Sequence, residues 1–303
     1  MATGGRLGAA VVSVAPGAVA LAGIETVYLN GRFVNPDEAR VSVFDRGFLF
    51  GDGIYEVVPV YAGRPLRWPQ HIARLQRNLE ILEIPNPWSV EDFDTLAAGL
   101  IGGRQDDLYL YIQVTRGVAP RDHVFPEPAT PTLFAYAQVL APAPAEFHTE
   151  GVAAITLSDI RWQRCDLKTI SLVGNVWLRQ KAKQNDALEA LLVRDGYVTE
   201  GSASNVFAVI GGVVLTPPTG PNLLPGITRD LVIELMDRDR VEHAERIFTE
   251  AEMLDADEVW ITSSTKEILP VTRINGVAVG AGRPGPVYAR VRGVYQQYKA
   301  EHA

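Results

Sequence analysis

Cysteine is nearly absent from this sequence, because Cys165 is the only one among 303 residues. A single cysteine excludes an intrachain disulfide and any metal site built from several cysteines, and we expect no metal site here. One free thiol also suits a reducing compartment. We therefore expect a cytoplasmic protein.

Basic residues and long apolar runs are also scarce. The chain has 28 Lys and Arg residues against 36 Asp and Glu residues, which gives a formal net charge of −8. Proteins that bind nucleic acid in general carry a basic surface, so nucleic acid is not an expected partner. Beyond the N-terminal segment, no stretch reaches the roughly 18 uninterrupted apolar residues that a membrane span needs. A membrane is therefore not an expected partner either.

The first residues are mostly small and apolar. Residues 1–24 contain one arginine and end in an Ala-x-Ala-like pattern, which resembles a weak signal peptide. Pro16 and several glycines interrupt the pattern, and Arg6 is poorly placed for a signal peptide. We interpret residues 1–24 as a flexible N-terminal extension, or as the product of an upstream start codon.

Residues 25–140 show the patterns of a small α+β domain. Two segments of alternating apolar residues read as β-hairpins, with Asn30-Gly31 and Ala62-Gly63 at their turns. Between later strand-like segments, Ile72, Leu75, Leu79 and Leu82 recur at intervals of three and four residues. That spacing predicts an amphipathic helix.

A linker and a second domain follow. Residues 141–150 begin with an alternation of alanine and proline, APAPA, which predicts an extended, semi-rigid linker. Residues 151–303 then read as a larger domain, with a β-meander over residues 187–217, a helix that begins near Gly226 and a strand at residues 257–264.

Lys168 lies where a strand-like run, VAAITLSDIRW, gives way to a helix-like one. A lysine is usually a solvated charge, but a lowered pKa makes its neutral amine a nucleophile toward carbonyl groups and pyridoxal phosphate. An enzyme that uses that cofactor also needs a phosphate cradle, a carboxylate for the pyridine nitrogen and a means of holding the substrate.

Other segments offer these parts, although each has a simpler interpretation. LLPGITRD places Gly226 and Thr228 at a helix start, where backbone N–H groups favour an anion, but a glycine there is often only a cap. Glu200, in YVTEGSASN, is the candidate carboxylate for the pyridine nitrogen. Its simpler interpretation is a glutamate on an edge strand that faces water. Arg121 and His123 stand two apart on a proline-bounded loop, where they read either as a carboxylate site or as a basic surface.

The motifs taken together carry a family resemblance. FDRGFLFGDGIYEVV, YIQVTRGVAPRDHVFPEP, DIRWQRCDLKTISLVGN, VTEGSASNVFAV, LPGITRDLV and ITSSTKEILPV occur in register over about residues 27–271. The set closely resembles the D-amino-acid aminotransferases, a branch of the branched-chain aminotransferase-like, fold-type IV pyridoxal-phosphate enzymes. The resemblance implies a two-domain fold with a small α+β N-terminal domain and a larger C-terminal pseudo-barrel domain.

The resemblance also implies roles for individual residues. Lys168 would hold pyridoxal 5'-phosphate as a Schiff base (internal aldimine) and move the proton between substrate and cofactor. Glu200 would pair with the pyridine nitrogen. The residues implied to bind the phosphate are Arg74, Ile227, Thr228 and Ser264. The residues implied to bind the substrate α-carboxylate are Tyr55, Arg121 and His123, the last two supplied by the partner subunit of a homodimer.

The implied reaction is D-alanine plus 2-oxoglutarate giving pyruvate plus D-glutamate. Alternatives within the same fold are an (R)-selective amine transaminase, a branched-chain aminotransferase and an aminodeoxychorismate lyase. A non-catalytic binding protein on the same scaffold would be expected to lack Lys168 or Glu200, and both are present. Ala203 stands where a close relative could carry another serine, which leaves the substrate range open.

Overall fold

The computed structural model describes residues 23–302, which form two β-sheets with helices packed against them. The strands of the first sheet are β1 (Val27–Leu29), β2 (Arg32–Val34), β3 (Gly53–Tyr61), β4 (Arg64–Pro65), β5 (Leu108–Thr115) and β6 (Thr132–Val139). They lie in the order β2-β1-β6-β5-β3-β4, and each neighbouring pair is antiparallel. The helices in this part of the chain are α1 (Arg46–Phe50), α2 (Trp68–Ile81) and α3 (Val90–Ile101).

Both predicted hairpins are confirmed. Asn30 and Gly31 connect β1 to β2, and Ala62 and Gly63 connect β3 to β4. All four residues have positive φ, as a two-residue turn between twisted antiparallel strands requires. Asn and Gly adopt this conformation readily, which is why the sequence marks the first turn so clearly.

Helix α2 is the predicted amphipathic helix. Ile72, Leu75 and Leu79 are buried in the core that this helix forms with the first sheet. Because residues three or four apart share one face of a helix, this packing also buries His71 and Arg74. The two polar side chains are therefore buried between α2 and the first sheet, where each needs a hydrogen-bond or charge partner.

The second sheet has nine strands. They are β7 (Val152–Ser158), β8 (Glu189–Arg194), β9 (Tyr197–Gly201), β10 (Asn205–Ile210), β11 (Val213–Thr216), β12 (His243–Glu245), β13 (Glu258–Ser263), β14 (Glu267–Ile274) and β15 (Val277–Ala278). The order is β12-β11-β10-β13-β14-β7-β8-β9, with β15 paired to β14. The helices of this part are α4 (Ala145–Thr149), α5 (Val173–Gln184), α6 (Ile227–Arg238), α7 (Glu250–Leu254) and α8 (Pro286–His302).

The predicted linker is only partly extended. Residues 141–144 have no regular structure, but residues 145–149 form the short helix α4, which the Pro-Ala alternation did not indicate. Pro144 is the residue before the first helical turn. A proline in that region removes no intrahelical hydrogen bond, so it begins a helix as readily as it extends a chain.

Two strand predictions in the second half were also wrong in part. The strand predicted through Trp162 ends at Ser158, because Asp159 accepts hydrogen bonds from the backbone N–H and the guanidinium of Arg161 and bends the chain. The predicted meander holds for the hairpins β8–β9 and β10–β11 but breaks between them. Strand β10 pairs with β13, and β9 lies at the far edge of the sheet.

The α+β class predicted from the sequence is confirmed, while the domain boundaries at 25–140, 141–150 and 151–303 stay a prediction. Apart from its last two residues, the predicted extension over residues 1–24 lies outside the described residues. Within residues 23–302, no helix is both long and apolar enough to cross a membrane. The same part of the chain contains no group of three or more His, Cys, Asp or Glu side chains that could hold a metal ion.

Candidate active site

Lys168 lies in the loop between β7 and α5, and this loop is bound to the first sheet. Its carbonyl accepts a hydrogen bond from the backbone N–H of Tyr55 at 3.0 Å, and the N–H of Ile170 donates to the carbonyl of Gly53 at 3.0 Å. The Nζ of Lys168 lies 4.2 Å from the centroid of the Tyr55 ring. Lys168 is therefore held between the two sheets, with its amine against an aromatic face.

A cavity of about 550 Å³ opens around this amine. Seven of the nine predicted site residues line it, namely Tyr55, Arg74, Lys168, Glu200, Ile227, Thr228 and Ser264. The sequence brings these residues from β3, α2, β9, α6 and two loops, so only the fold could show that they share one cavity.

Arg121 and His123 do not line this cavity. Both are exposed on the loop between β5 and β6, beside the ring of Phe50. The guanidinium of Arg46 donates to the carbonyl of Asp122 at 2.5 Å and pairs with Asp52 at 2.7 Å. The loop is thus fixed in place, with Arg121 and His123 outside this subunit's Lys168 cavity.

Glu200 is buried near the end of β9, which excludes the water-facing interpretation. Its carboxylate accepts hydrogen bonds from the side-chain amide of Asn205 at 3.0 Å and the backbone N–H of Leu224 at 3.1 Å. Arg161 donates to the other oxygen at 2.5 Å. Burial raises the pKa of Glu200 to about 7, although the charge and hydrogen bond of Arg161 oppose that rise.

Sequence reasoning missed the support behind Glu200. Asp159 accepts two hydrogen bonds from the guanidinium of Arg161, both at 2.9 Å, and another from the hydroxyl of Thr199 at 3.0 Å. The carboxylate of Glu200 is therefore held in a hydrogen-bonded network with Arg161 and Asp159. The bend after β7 brings Asp159 and Arg161 together, and the closely spaced charges of DIRW were the only sequence signal for this network.

A second buried cluster was also missed. The guanidinium of Arg74 donates to both carboxylate oxygens of Glu56, at 2.7 and 2.8 Å, and to the carbonyl of Pro225 at 2.6 Å. The Nδ1 of His71 lies 2.7 Å from the same carboxylate. Burial lowers the pKa of His71, so the ring is neutral near pH 7 and Nδ1–H donates to Glu56. Arg74 therefore connects Glu56 to Pro225, in the segment that leads into α6.

The start of α6 forms one end of the cavity. The N-cap Gly226 makes no side-chain capping bond, and Ile227 and Thr228 follow it along the cavity wall. A Cβ at Gly226 would lie 2.0 Å from the Oδ1 of Asn205, so the close approach requires glycine. Thr262 also lines the cavity, and its buried Oγ1 has no hydrogen-bond partner among the described residues.

These features fit a phosphorylated pyridine cofactor. The first backbone N–H groups of a helix, two hydroxyl side chains and an unpartnered buried hydroxyl form a donor set suited to a phosphate. A buried carboxyl at one wall and a lysine amine at another fit the ring nitrogen and the aldehyde carbon of pyridoxal phosphate.

Comparison with known proteins shows the family of this chain. The model of the family described as amino-transferase class IV matches residues 53–274. The D-alanine aminotransferase of Bacillus licheniformis is 41% identical over 271 residues, which are 89% of this chain and 95% of that protein.

Solved structures of the same type superpose on most of the chain. The branched-chain amino acid aminotransferase of Escherichia coli has a TM-score of 0.86 at 25% identity, covering 90% of this chain and 94% of that one. A T.th. branched-chain amino acid aminotransferase with pyridoxamine 5'-phosphate has a TM-score of 0.82 at 27% identity, covering 90% and 93%. The chain described here belongs to the class IV aminotransferases, with the fold-type IV architecture that the sequence motifs predicted.

Proposed function

We propose that this protein transaminates D-amino acids with pyridoxal 5'-phosphate, converting D-alanine and 2-oxoglutarate to pyruvate and D-glutamate. The observation that carries the proposal is the position of the Lys168 amine, over the Tyr55 ring in a cavity that also holds Glu200 and the start of α6. The relative named D-alanine aminotransferase, at 41% identity, supports the choice of D-amino acids.

The cofactor supplies a carbonyl that combines with amines and a pyridine ring that accepts electrons. The Nζ of Lys168 would hold the cofactor and then, once substrate has displaced it, take the proton from the substrate Cα. Glu200 would keep a proton on the pyridine nitrogen, with Arg161 and Asn205 fixing its two oxygens.

The phosphate would bind at the start of α6. Ile227 and Thr228 offer backbone N–H groups and a hydroxyl, Ser264 offers a second hydroxyl, and Arg74 adds positive charge behind them. Because Arg74 is already paired with Glu56, its contribution to the phosphate is through position and long-range charge more than through free donors.

The substrate α-carboxylate would lie between Tyr55 and the loop that carries Arg121 and His123, supplied by the partner subunit of a homodimer. In support, both basic side chains are exposed and lie outside this subunit's own cavity. Apolar side chains near that loop are also exposed, including Phe48 at 73% and Val124 at 73%. Such a surface is typical of a protein interface. The single buried Cys165 supports the proposed cytoplasmic location.

Branched-chain aminotransferase activity is the second candidate, because two solved structures that superpose on this chain carry that name. The two candidates differ in the enantiomer of the donor. A panel of D-alanine, L-alanine and L-leucine with 2-oxoglutarate therefore separates them. We expect D-alanine to be the good donor and both L-amino acids to be poor. L-leucine turnover equal to or faster than that of D-alanine would assign the protein to the second candidate.

The role of Lys168 has a direct chemical test. Borohydride reduction of the holoenzyme followed by peptide mapping should place the pyridoxyl label on Lys168, and Lys168→Ala should lose nearly all transamination. The matched control is Lys183→Ala, which removes another lysine of the same cavity wall and should keep the label on Lys168. A label on Lys181 or Lys183 in the unmodified protein would overturn the assignment.

A further inference from the structure

A second cavity, of about 440 Å³, opens beside Lys168, and no residue of α6 lines it. It shares part of its wall with the first cavity, including Tyr55, Lys168 and Ala203. A substrate whose amine faces Lys168 and whose α-carboxylate lies by Tyr55 has one group left to place, its side chain. The second cavity is the space next to that position.

One wall of the second cavity is aromatic. Tyr55, Tyr111 and Tyr136 extend from the adjacent strands β3, β5 and β6, with ring centroids 5.7 and 5.2 Å apart. Burial raises the pKa of Tyr111 and Tyr136, so these phenols stay neutral. Such a wall accepts an apolar side chain but provides no charge for a carboxylate.

Two other lining residues supply the positive charge. Lys168 and Lys266 are the two cationic side chains among the described residues that line this cavity, and those residues include no carboxylate. Lys266 lies in the turn between β13 and β14, where its backbone N–H donates to the Oγ of Ser263 at 3.2 Å.

The neighbouring residue fixes this turn. The carboxylate of Glu267 accepts hydrogen bonds from Tyr61 at 2.9 Å, from Gln296 at 2.6 Å and from Lys299 at 2.6 Å. Glu267 has a φ of 57°, in the left-handed region, and three partners from β3 and α8 hold it there. The adjacent Lys266 therefore extends from an anchored backbone.

The amine of Lys266 forms no hydrogen bond or ion pair within residues 23–302, although the residue is half-buried. Burial lowers the pKa of Lys266, while the charge of Glu189 raises it and the charge of Arg179 lowers it. A half-buried cation without a carboxylate partner is costly. A carboxylate that enters the cavity would supply that partner.

We propose that Lys266 binds the distal carboxylate of dicarboxylic substrates, the carboxylate that 2-oxoglutarate and D-glutamate have and that D-alanine lacks. This inference rests on the proposed D-amino-acid transamination. It explains how one site would take two unlike substrates in turn, because a long flexible side chain reaches a distal carboxylate and leaves a methyl group among the tyrosines.

The test compares two acceptors, 2-oxoglutarate and 2-oxobutanoate, with D-alanine as donor. Lys266→Gln should raise the KM for 2-oxoglutarate by about tenfold to hundredfold, as the loss of one charge-assisted contact predicts, and that for 2-oxobutanoate far less. Lys266→Arg keeps the positive charge, so it should retain most of the preference for 2-oxoglutarate over 2-oxobutanoate. The control is Lys181→Gln, which changes a half-buried lysine of α5 that bonds to Gln184 and lines neither cavity, and it should leave the KM of both acceptors unchanged.

A binding measurement needs no turnover. Glutarate should raise the Tm of the wild-type holoenzyme more than butyrate does, and Lys266→Gln should remove the difference. Equal effects of Lys266→Gln on both acceptors, or an unchanged response to glutarate, would overturn the role of Lys266 while D-alanine turnover still stands. A wild-type protein without D-alanine turnover would instead refute the proposed function, and the glutarate comparison would still decide on Lys266.

Discussion

At the residue scale, the buried carboxyl groups determine the electrostatics of the site. Glu200 and Glu56 are both buried and both paired with an arginine, yet their pKa values move in opposite directions. Burial raises the pKa of Glu200 to about 7 despite Arg161. Burial also acts on Glu56, but the charge and hydrogen bonds of Arg74 outweigh it and hold the pKa of Glu56 far below its ordinary value.

Glu200→Gln tests the carboxyl in the cavity. Glutamine keeps the shape of the side chain but cannot keep a proton on a ring nitrogen. We expect the cofactor to bind and the single-turnover half-reaction with D-alanine to slow by about a hundredfold or more, measured by stopped-flow absorbance. Glu234→Gln is the matched control, since it breaks an exposed pair with Arg67 outside the cavity. An unchanged half-reaction rate would assign the role to another group.

Glu56→Gln tests the buried cluster under α2. Removing the carboxylate leaves Arg74 buried without its charge partner, which should lower the free energy of unfolding by about 3–5 kcal/mol near pH 7. A carboxyl with a lowered folded pKa stabilises the protein above its unfolded pKa, here about 4.5, and that contribution is lost as the pH falls further.

Urea unfolding at a series of pH values checks this prediction. The difference in the free energy of unfolding between the wild-type protein and Glu56→Gln should become steadily smaller below about pH 4.5. The exposed Glu242→Gln serves as the control, with no expected effect on this pH dependence. A gap that stays constant down to pH 3 would contradict the assignment of the lowered pKa to Glu56.

At the scale of elements, the start of α6 couples the proposed phosphate site to Glu200. Asn205 bonds to Glu200 through its amide and lies against Gly226 through its oxygen. Asn205, at the start of β10, therefore connects the N-terminus of α6 to the carboxyl of Glu200 near the end of β9.

Gly226→Ala should disturb all three elements. The added methyl group would lie 2.0 Å from the Oδ1 of Asn205, so the amide or the helix must shift. We expect a loss of about 1–3 kcal/mol in stability, together with weaker binding of the cofactor, measured by thermal unfolding and by titration of the apoenzyme. Gly220→Ala is the control, because a methyl group there meets no atom within 4 Å. Unchanged cofactor affinity in Gly226→Ala would separate this contact from the site.

At the scale of the whole molecule, two of the residues proposed to bind the substrate α-carboxylate, Arg121 and His123, do not line the Lys168 cavity of their own chain. Arg121 and His123 are held on an exposed loop by Arg46, next to exposed apolar side chains. A proposed dimer would bring that loop to the partner's cavity.

Mixed dimers test this arrangement. Lys168→Ala and Arg121→Ala chains should each be inactive toward D-alanine alone. When the two chains are mixed and subunit exchange is demonstrated separately, part of the activity should return. Each hybrid dimer keeps one site that has both Lys168 and Arg121. Two Lys168→Ala preparations mixed together provide the background. Hybrid dimers without recovered activity would place the loop in its own subunit's site.

The sequence by itself determined the local features of this protein. Asn30-Gly31 predicted a hairpin, the spacing of Ile72, Leu75 and Leu79 predicted α2, and the ordered motifs predicted the family and the positions of Lys168 and Glu200. Turn residues and helical periodicity act through neighbours a few residues away, so a linear pattern is enough to predict them. Proline and alanine in residues 141–150 were ambiguous because they suit a helix start as well as an extended chain.

Only the tertiary structure decided which groups meet. Arg161 reaches Glu200 across 39 positions, and Arg74 reaches the carbonyl of Pro225 across 151. Such pairs depend on the order of strands in the sheets, and the insertion of β13 beside β10 had no local signal. Nor could a linear pattern show that Lys266 faces a cavity without a carboxylate, because that depends on burial and on every other side chain in the wall.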